Sequence, residues 1–248
     1  MKPNNTNNAS IDYRESHIGK DKGQSYHAMF LNDPYRNMVW NFEKQILDRI
    51  LDLFYRDVEI RHLDFACGTG RILHYLSART NESVGVDLSP SMLDVARSTN
   101  TASEIIEADL TNNDVLGTRK FNLITAFRFF PNAQPMLRRQ VIQILVKHLS
   151  DDGYLIINNH RNTGSLRNKL AKLLGRHNND GMSLSEVDSL IGENNLLVKE
   201  IYPLCLFPSS ENRLLMPIFL LRPTEAILSR FRPLRYFGDN LIFVCKRS

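Results

Sequence analysis

Two glycines at the end of an apolar segment form the part of this sequence best suited to hold a ligand. The segment from Arg61 to Gly70 reads R-H-L-D-F-A-C-G-T-G, so strand-like alternation gives way to small residues. Gly68 and Gly70 can adopt backbone angles that other residues avoid, and they let a ligand approach the main chain. A helix that begins at Arg71 would direct its free N–H groups toward that ligand. The pattern predicts a nucleotide-like ligand at this turn.

The residues around the turn indicate which kind of nucleotide can bind there. In a dinucleotide-binding turn a third glycine would stand at the position of Leu73, and no pyrophosphate-binding run G-x-x-x-x-G-K-[S/T] occurs in the sequence. Both absences disfavour a nicotinamide cofactor or a nucleoside triphosphate. The next apolar segment, Ser83 to Asp87, ends in a carboxylate at the spacing from which an acid reaches ribose hydroxyls. Asp87 is therefore predicted to bind the sugar.

Three motifs in a consistent order resemble those of class I S-adenosylmethionine-dependent methyltransferases. They are L-D-F-A-C-G-T-G from Leu63, V-G-V-D-L-S from Val84 and E-A-D-L from Glu107, and the resemblance covers roughly Tyr35 to His160. It implies that the cofactor is S-adenosylmethionine and that the product is S-adenosylhomocysteine. The residues it implies for the methionine end are Asp64, Ala66, Cys67, Gly68, Thr69 and Gly70. For the ribose it implies Asp87, for the adenine Met92, Asp109 and Leu110, and around the cofactor also Leu88, Phe127 and Tyr35.

Composition is consistent with an ordinary soluble domain. Of 248 residues, 42% are hydrophobic and 23% charged, which is enough apolar material for one large domain. The first ten residues, half of them asparagine, lack the apolar core of a signal peptide, and no long uncharged apolar run follows; we therefore expect a cytoplasmic protein. Cys67, Cys205 and Cys245 have unrelated spacings that suit neither a disulfide framework nor a zinc site.

We divide the chain into a flexible lead-in, residues 1–32, and one methyltransferase domain, residues 33–248. Asp33 and Pro34 predict the start of a helix by capping and by proline in the first turn. The apolar face predicted for this helix consists of Met38, Val39, Phe42, Ile46, Ile50, Leu53 and Phe54. Two interpretations remain open for Tyr26, Met29, Phe30 and Tyr35: they fold over the cofactor, or they seal the edge of the core.

From Ile60 onward, short apolar segments alternate with helical ones, which predicts an α/β fold with a mostly parallel sheet and helices on both faces. The predicted strands begin at Ile60, Ser83, Ser103, Phe121 and Tyr154. The pattern also predicts a strand near Leu196 to Phe207 and a last one at Leu241 to Cys245. The resemblance implies a Rossmann-like sheet of seven strands in which the final hairpin strand is antiparallel.

Residues that follow the fourth and fifth strands are expected to face the methyl acceptor, because ligands bind beyond the carboxyl ends of parallel strands. Arg128 lies there between aromatic residues and needs an anionic partner; a binding role and a structural salt bridge both remain open. His160 is the candidate general base because its ordinary pKa lies near neutrality, with a hydrogen-bonded structural role as the alternative. Arg128 and His160 are the predicted catalytic residues.

The same region argues against two reaction types. Family members that methylate exocyclic amines carry [N/D/S]-P-P-[Y/F/W] after the fourth strand, and Phe127 to Asn132 does not match it. Metal-dependent members need acidic ligands there, and none is evident, so we predict no metal site. The segments after strands four and five also resemble sugar-tailoring members, so the predicted acceptor is a hydroxyl of a glycan or another small molecule. A protein methyltransferase and a non-catalytic cofactor-binding scaffold remain alternatives, and no feature indicates an oligomeric state.

Two inserts outside the shared motifs, at about residues 161–182 and 208–238, are expected to wall the acceptor site. The first carries four leucines on one helical face and basic residues elsewhere, whereas the second is apolar and then basic. The leucines are Leu166, Leu170, Leu173 and Leu174, and the arginines of the second insert include Arg222, Arg230, Arg232 and Arg235. Three interpretations remain open for the second insert: it binds a phosphate-bearing or lipid-linked acceptor, it contacts an anionic membrane surface, or it is a solvated helix face. Nucleic acid is disfavoured, because the net charge is only +4 despite a pI near 9.0.

Overall fold

The computed structural model describes residues 14, 22–176, 181–210 and 214–248, and these contain a seven-stranded sheet. The strands are β1 (Arg61–Phe65), β2 (Glu82–Asp87), β3 (Glu104–Glu107), β4 (Phe121–Ala126), β5 (Leu149–Asn159), β6 (Leu196–Leu204) and β7 (Asn240–Arg247). They lie in the order β3-β2-β1-β4-β5-β7-β6; the first five are parallel, and β7 is antiparallel to both β5 and β6. The predicted Rossmann-like sheet with an antiparallel last strand is confirmed.

Helices cover both faces of this sheet. They are α1 (Lys22–Asn32), α2 (Pro34–Phe54), α3 (Arg71–Ser77), α4 (Pro90–Thr99), α5 (Pro135–His148), α6 (Leu166–Leu173), α7 (Leu184–Gly192) and α8 (Ile218–Leu228). Successive strand residues point to opposite faces, so Leu123 packs in one apolar cluster with α2 and α3, while Ile124 packs in another with α5 and α7. The core is thus two apolar layers separated by the sheet.

The start of α2 agrees with the sequence, but its buried face differs from the predicted one. The Asp33 carboxylate accepts a hydrogen bond from the Arg36 backbone N–H at 2.8 Å, and Pro34 occupies the first turn. Leu53, expected on the apolar face, is 58% exposed, whereas Glu43 is fully buried. The inward face of α2 therefore includes a buried carboxylate, and the prediction that Leu53 lies on the buried face was wrong.

Helix α1 lies within the segment that the sequence suggested was a flexible lead-in. It packs closely on α4, because a Cβ on Gly23 would lie 2.0 Å from the Ser91 carbonyl oxygen, and Phe30 is buried. Residues 22–32 are therefore helical, while the disorder predicted for residues 1–10 lies outside the described residues. The boundary at residue 33 between the lead-in and the methyltransferase domain stays a prediction.

Strand β5 begins earlier than predicted, at Leu149 instead of Tyr154. Its pairing with β4 shifts register between Phe121 and Leu123, which allows the strand to continue through Gly153. A Cβ on Gly153 would lie 2.9 Å from the Asn122 carbonyl oxygen. Glycine is thus needed here for a close backbone approach inside the sheet.

Candidate active site

The glycine turn after β1 has the geometry that the sequence predicts. Gly68 and Gly70 have φ angles of +56° and +72°, in the left-handed region, and Gly70 precedes the first turn of α3. A Cβ on Gly70 would lie 2.4 Å from the Asn100 amide nitrogen, whereas a Cβ on Gly68 would meet nothing within 4 Å. Gly70 therefore lies against the protein, and Gly68 lies beside open space that a ligand can fill.

The close approach of helix and strand that a third glycine would permit is provided by β2 instead. Leu73 stands at that position of α3, and it packs on Gly85, where a Cβ would lie 2.8 Å from the Leu73 Cδ2 and 3.0 Å from the Cys67 Sγ. Gly85 therefore lets the turn and α3 lie directly on β2. Sequence reasoning missed this role, although V-G-V-D carries the signal.

Asp87 connects the end of β2 to the glycine turn. Its Oδ2 accepts a hydrogen bond from the Gly68 N–H, and its Oδ1 accepts one from the Ser89 N–H, both at 2.8 Å. The carboxylate is partly exposed and lines a large cleft beside the glycine turn, which is described below. Asp87 is thus held rigidly at the edge of the space beside Gly68.

Asp64 ends a buried row of polar side chains across β1 and β4. Its Oδ1 accepts a hydrogen bond from the Thr125 hydroxyl at 2.7 Å, and the same hydroxyl lies 2.8 Å from the His62 Nε2. Burial raises the pKa of Asp64 to about 7 and lowers that of His62 to about 3. His62 is therefore neutral and donates its Nε2 proton to Thr125, which orients the hydroxyl toward Asp64.

A small slot of about 70 Å³ adjoins the turn on the other side of Asp87. Its lining includes Leu88, Asp109 and Leu110, three of the residues that the resemblance implies for the cofactor. Arg14, which sequence reasoning missed, closes the slot, because its Nε lies 3.0 Å from the Asp109 Oδ2 and its guanidinium donates to the Thr111 hydroxyl at 2.6 Å. The structure therefore brings Leu88, Asp109 and Leu110 together around one cavity, and their role in cofactor binding stays a prediction.

The large cleft has a volume of about 1100 Å³ and connects the turn to the predicted acceptor side. Ligand sites commonly span about 300–1,000 Å³, so the cleft has room for a nucleotide and a second molecule. Its lining includes most of the predicted site residues, namely Tyr35, Asp64, Ala66, Cys67, Gly68, Thr69, Asp87, Met92, Phe127, Arg128 and His160. Met92 thus lies in the cleft and not in the slot with Asp109, while Gly70 is buried beneath the turn.

Tyr35 contacts the far wall of this cleft. Its hydroxyl donates to the Ser209 carbonyl oxygen at 3.0 Å, in the loop after β6, and burial raises its pKa far above the ordinary value. The same ring packs in an apolar cluster with Met38, Phe207 and Ile218. The structure therefore places Tyr35 against the second insert.

Glu43 is the carboxylate that sequence reasoning did not find near Arg128. It is fully buried, and its oxygens lie 3.3 Å from the Arg71 Nη1, 3.6 Å from the Arg128 Nη2 and 3.1 Å from the Asn240 Nδ2. The Asn240 Oδ1 accepts from Asn158 at 3.2 Å, and the Asn158 Oδ1 accepts from the Arg128 N–H at 2.6 Å. Glu43, Asn240, Asn158 and Arg128 form a closed ring, which we call the Glu43 ring, and Arg71 is attached to it through Glu43.

The Glu43 ring fixes Arg128 in an uncommon backbone conformation. Arg128 has a φ of +61°, which is strained for a residue with a side chain. Hydrogen bonds hold it on both sides, from its N–H to Asn158 and from the Asn132 Nδ2 to its carbonyl oxygen at 2.6 Å. The salt bridge that the sequence left open is present; a binding role for Arg128 stays a prediction.

Aromatic rings of α1 and α2 cover the same arginines. The Arg71 guanidinium lies 4.1 Å from the centre of the Phe30 ring and 4.2 Å from that of Trp40, and the Arg128 guanidinium lies 5.0 Å from Phe30. Phe30 thus packs on the arginines, while Tyr26 and Met29 line the cleft. Phe30 therefore seals the wall formed by the two arginines, whereas Tyr26 and Met29 face the cavity.

His160 follows β5 directly and lines the cleft beside Arg128. Its Nδ1 has no hydrogen-bond partner among the described residues. Loss of solvent, together with the positive charges of Arg128 and Arg161, lowers the pKa of His160 well below its ordinary value. The imidazole is therefore neutral at pH 7 and can accept a proton.

Both inserts contribute to the acceptor side of the cleft. Arg167 and Leu170 line it from the first insert, and Leu215 from the second. Asp239 fixes this wall, because it accepts from the Ser165 hydroxyl at 2.9 Å and pairs with the Arg167 guanidinium at 3.2 Å. Its pKa is raised, mainly by burial.

The described residues include neither a candidate metal centre nor a helix suited to span a membrane. No group of three or more His, Cys, Asp or Glu residues could hold a metal ion, and Cys67, Cys205 and Cys245 are free thiols. In the same part of the chain, no helix has the length and apolar character needed to cross a membrane.

Comparisons with known proteins agree with this geometry. Residues 63–153 match the model of a family described as a methyltransferase domain. No curated protein sequence gives a significant match. The sequence match covers β1 to the middle of β5 and therefore includes the glycine turn, Asp87 and Asp109. Residues 63–153 therefore resemble a methyltransferase domain, and the protein is an enzyme.

Solved methyltransferase structures share the fold of nearly the whole chain. A magnesium protoporphyrin IX methyltransferase from Synechocystis PCC 6803 with bound SAH is 14% identical, with 92% of this chain and 98% of that chain covered and a TM-score of 0.61. An S-adenosylmethionine-dependent methyltransferase from Clostridium acetobutylicum is 16% identical, with coverages of 91% and 98% and a TM-score of 0.58. The CcbJ methyltransferase from Streptomyces caelestis is 12% identical, with coverages of 94% and 98% and a TM-score of 0.60.

Proposed function

We propose that this S-adenosylmethionine-dependent methyltransferase transfers its methyl group to a hydroxyl of a small molecule or glycan. The observation that carries the proposal is the cleft that joins the glycine turn to His160, whose buried Nδ1 has no hydrogen-bond partner among the described residues. A cofactor bound at the turn and an acceptor bound beside His160 would share this space. S-adenosylhomocysteine is the second product.

S-adenosylmethionine would be held in the two cavities on either side of Asp87. Gly68 and the buried Asp64 carboxyl would hold its methionine end in the large cleft, where there is open space for an ammonium-bearing group. The Asp87 carboxylate would accept hydrogen bonds from the ribose hydroxyls, and Leu88, Asp109 and Leu110 would hold the adenine in the slot. Ala66 and Asp87 line both cavities, which supports one continuous ligand.

The reaction is a displacement at the methyl carbon. The acceptor oxygen forms a bond to that carbon while the carbon–sulfur bond breaks and its electron pair returns to sulfur. Alignment of the three atoms accounts for much of the acceleration, so the rigid walls of the cleft matter more than any single side chain. The chain supplies that rigidity through the Glu43 ring and the Asp239 contacts.

His160 takes the proton that the hydroxyl loses. The hydroxyl becomes strongly acidic once the carbon–oxygen bond begins to form, so a base with a low pKa is sufficient. The lowered pKa of His160 keeps its imidazole neutral at pH 7, so one ring nitrogen can accept the proton. Arg128 lies next to it and is held by Glu43, where it can bind a carboxylate of the cofactor or an anionic group of the acceptor.

The acceptor class is tested with methyl-labelled S-adenosylmethionine and a cell extract separated into small-molecule, glycan-and-lipid, protein and nucleic-acid fractions. We expect label in the first two fractions, and none when Asp87→Ala protein replaces the wild type. Label confined to protein or nucleic acid would contradict the acceptor class and leave the cofactor site intact. Cofactor binding without label in any fraction would favour a non-catalytic cofactor-binding protein.

A further inference from the structure

Large apolar side chains are exposed mainly on the two inserts. Sixteen such side chains are exposed among the described residues, and ten of them lie in residues 161–182 and 208–238. The ten are Leu170, Leu173, Leu174, Leu214, Leu215, Phe219, Leu220, Ile227, Phe231 and Tyr236. The leucine face predicted for α6 is therefore not buried: Leu173 is 84% exposed and Leu174 is 60% exposed. Apolar surface concentrated in this way marks an interaction site.

The two inserts form one structural unit at the mouth of the cleft. The Leu166 N–H at the start of α6 donates to the Phe237 carbonyl oxygen at 3.0 Å, and the Asn162 Nδ2 donates to that of Tyr236 at 2.9 Å. Leu170 and Leu174 line the same cleft as Leu215 of the second insert. The exposed apolar residues of α6 and of the second insert thus flank one opening.

Helix α8 is fixed so that its apolar outer face points away from the protein. Glu225 is buried, and its carboxylate accepts from the Leu206 and Phe207 N–H groups at 3.0 and 2.7 Å. At helical spacing Phe219 and Ile227 lie on the opposite face, and they are 72% and 68% exposed. Because the inner face of α8 is fixed by the Glu225 hydrogen bonds, the outer face with Phe219 and Ile227 is directed toward solvent, where a partner can bind it.

The charge of the inserts is strongly basic. Together they contain ten Lys or Arg residues and three Asp or Glu residues, in a chain with a net charge of +4, so the remainder of the chain is net negative. Of the three acidic residues only Glu225 is described, and it is buried. In the described part of the inserts, every exposed charge is therefore positive, including Lys172, Arg222 and Arg230.

We propose that the two inserts form a face that binds the surface of a bilayer containing anionic lipids, with the mouth of the cleft turned toward the lipids. Apolar side chains interspersed with arginine and lysine match the interfacial region, where the rings and aliphatic chains enter the acyl boundary and the cations meet headgroup phosphates. Nucleic acid would account for the charge but not for exposed Phe219, Leu173 and Ile227. The inference concerns binding and goes beyond methyl transfer.

Sedimentation of the purified full chain with vesicles tests this inference without cofactor or acceptor, so its outcome is independent of the proposed reaction. We expect binding to vesicles of phosphatidylcholine mixed with phosphatidylglycerol and much weaker binding to phosphatidylcholine alone. The double variant Phe219→Ser, Ile227→Ser is expected to bind at least about tenfold more weakly. The double variant Arg222→Gln, Arg230→Gln should also lose roughly tenfold or more, because each cation near an anionic surface strengthens binding about fivefold.

The matched control is Leu53→Ser with Leu197→Ser, which removes leucines that are 58% and 49% exposed but lie outside the inserts. This variant should bind like the wild type. Thermal unfolding followed by circular dichroism checks that all variants are folded. Absence of binding to the anionic vesicles would overturn the proposal, and so would binding that the Phe219 and Ile227 substitutions leave unchanged.

Discussion

Replacement of Glu43 by glutamine tests whether one buried carboxylate holds the arginines of the cleft in place. Glutamine has nearly the same shape and keeps a carbonyl oxygen that can accept from Asn240. It lacks the negative charge that faces Arg71 at 3.3 Å and Arg128 at 3.6 Å. The variant would therefore leave two guanidinium groups near each other with a neutral side chain between them.

The expected loss of stability follows from the burial of this group. Removal of one partner from a buried ion pair costs about 3–5 kcal/mol. The side chains of Arg71 and Arg128 are 17% and 23% exposed, so water screens part of their charge. We therefore expect the free energy of unfolding to fall by about 2–3 kcal/mol and Tm to fall by roughly 4–12 °C.

Denaturant unfolding of Glu43→Gln without cofactor measures this change. The control is Asp52→Asn on the same helix, which removes an exposed ion pair with Arg79 at 2.6 Å. Exposed pairs contribute about 0–1 kcal/mol, so the control should remain near the wild type. If Glu43→Gln is no less stable than Asp52→Asn, Glu43 does not act as the counter-ion of the two arginines and the reasoning is refuted.

Three further substitutions test the cofactor site and the proposed base. Asp87→Asn should raise the Kd for S-adenosylmethionine about tenfold or more in calorimetry, since hydrogen bonds to a charged group contribute about 1.5–3 kcal/mol; an unchanged Kd would contradict ribose binding. His160→Ala should lower kcat about 10²–10⁴-fold and leave the cofactor Kd unchanged, whereas full activity would show that no base is needed. The pKa of Asp64 is raised from 3.8 to about 7, so the folded protein retains a proton that the unfolded chain has lost. The free energy of unfolding should therefore fall as pH rises between about 4 and 7, and Asp64→Asn should remove that part of the slope in denaturant melts at several pH values; an identical slope in both proteins would contradict the assignment.

The glycine turn and Asp87 could be predicted because their signals are local. Gly68 and Gly70 directly follow an apolar strand, and the carboxylate ends the next strand, so order along the chain is enough to place them together. The same reasoning gave the mostly parallel sheet and the start of α2. The alternation of side chains along a strand likewise explains why the apolar strand residues are divided between the two layers of the core.

Glu43 could not be predicted in this way. A single glutamate in an amphipathic helix is ordinarily assigned to solvent, and its partners Arg71 and Asn240 are 28 and 197 residues away in sequence. Periodicity has a related limit in α6, where it identified the leucine face correctly but could not show that Leu173 and Leu174 have no cover among the described residues. The burial of Glu43 and the exposure of Leu173 and Leu174 both depend on contacts with residues far away in sequence.

The position of β7 inside the sheet has a consequence for protein synthesis. Strand β7 is the last of the seven to be translated, yet it lies between β5 and β6. In a nascent chain that ends after β6, this strand has no partner, because β7 has not yet been synthesised. Pairing of β7 with β5 and β6 also requires closure of a long loop, which slows folding. Residues 61–87 can form the glycine turn much earlier. A chain interrupted before Asn240 would therefore carry the motif of a methyltransferase without the ring that shapes its acceptor side.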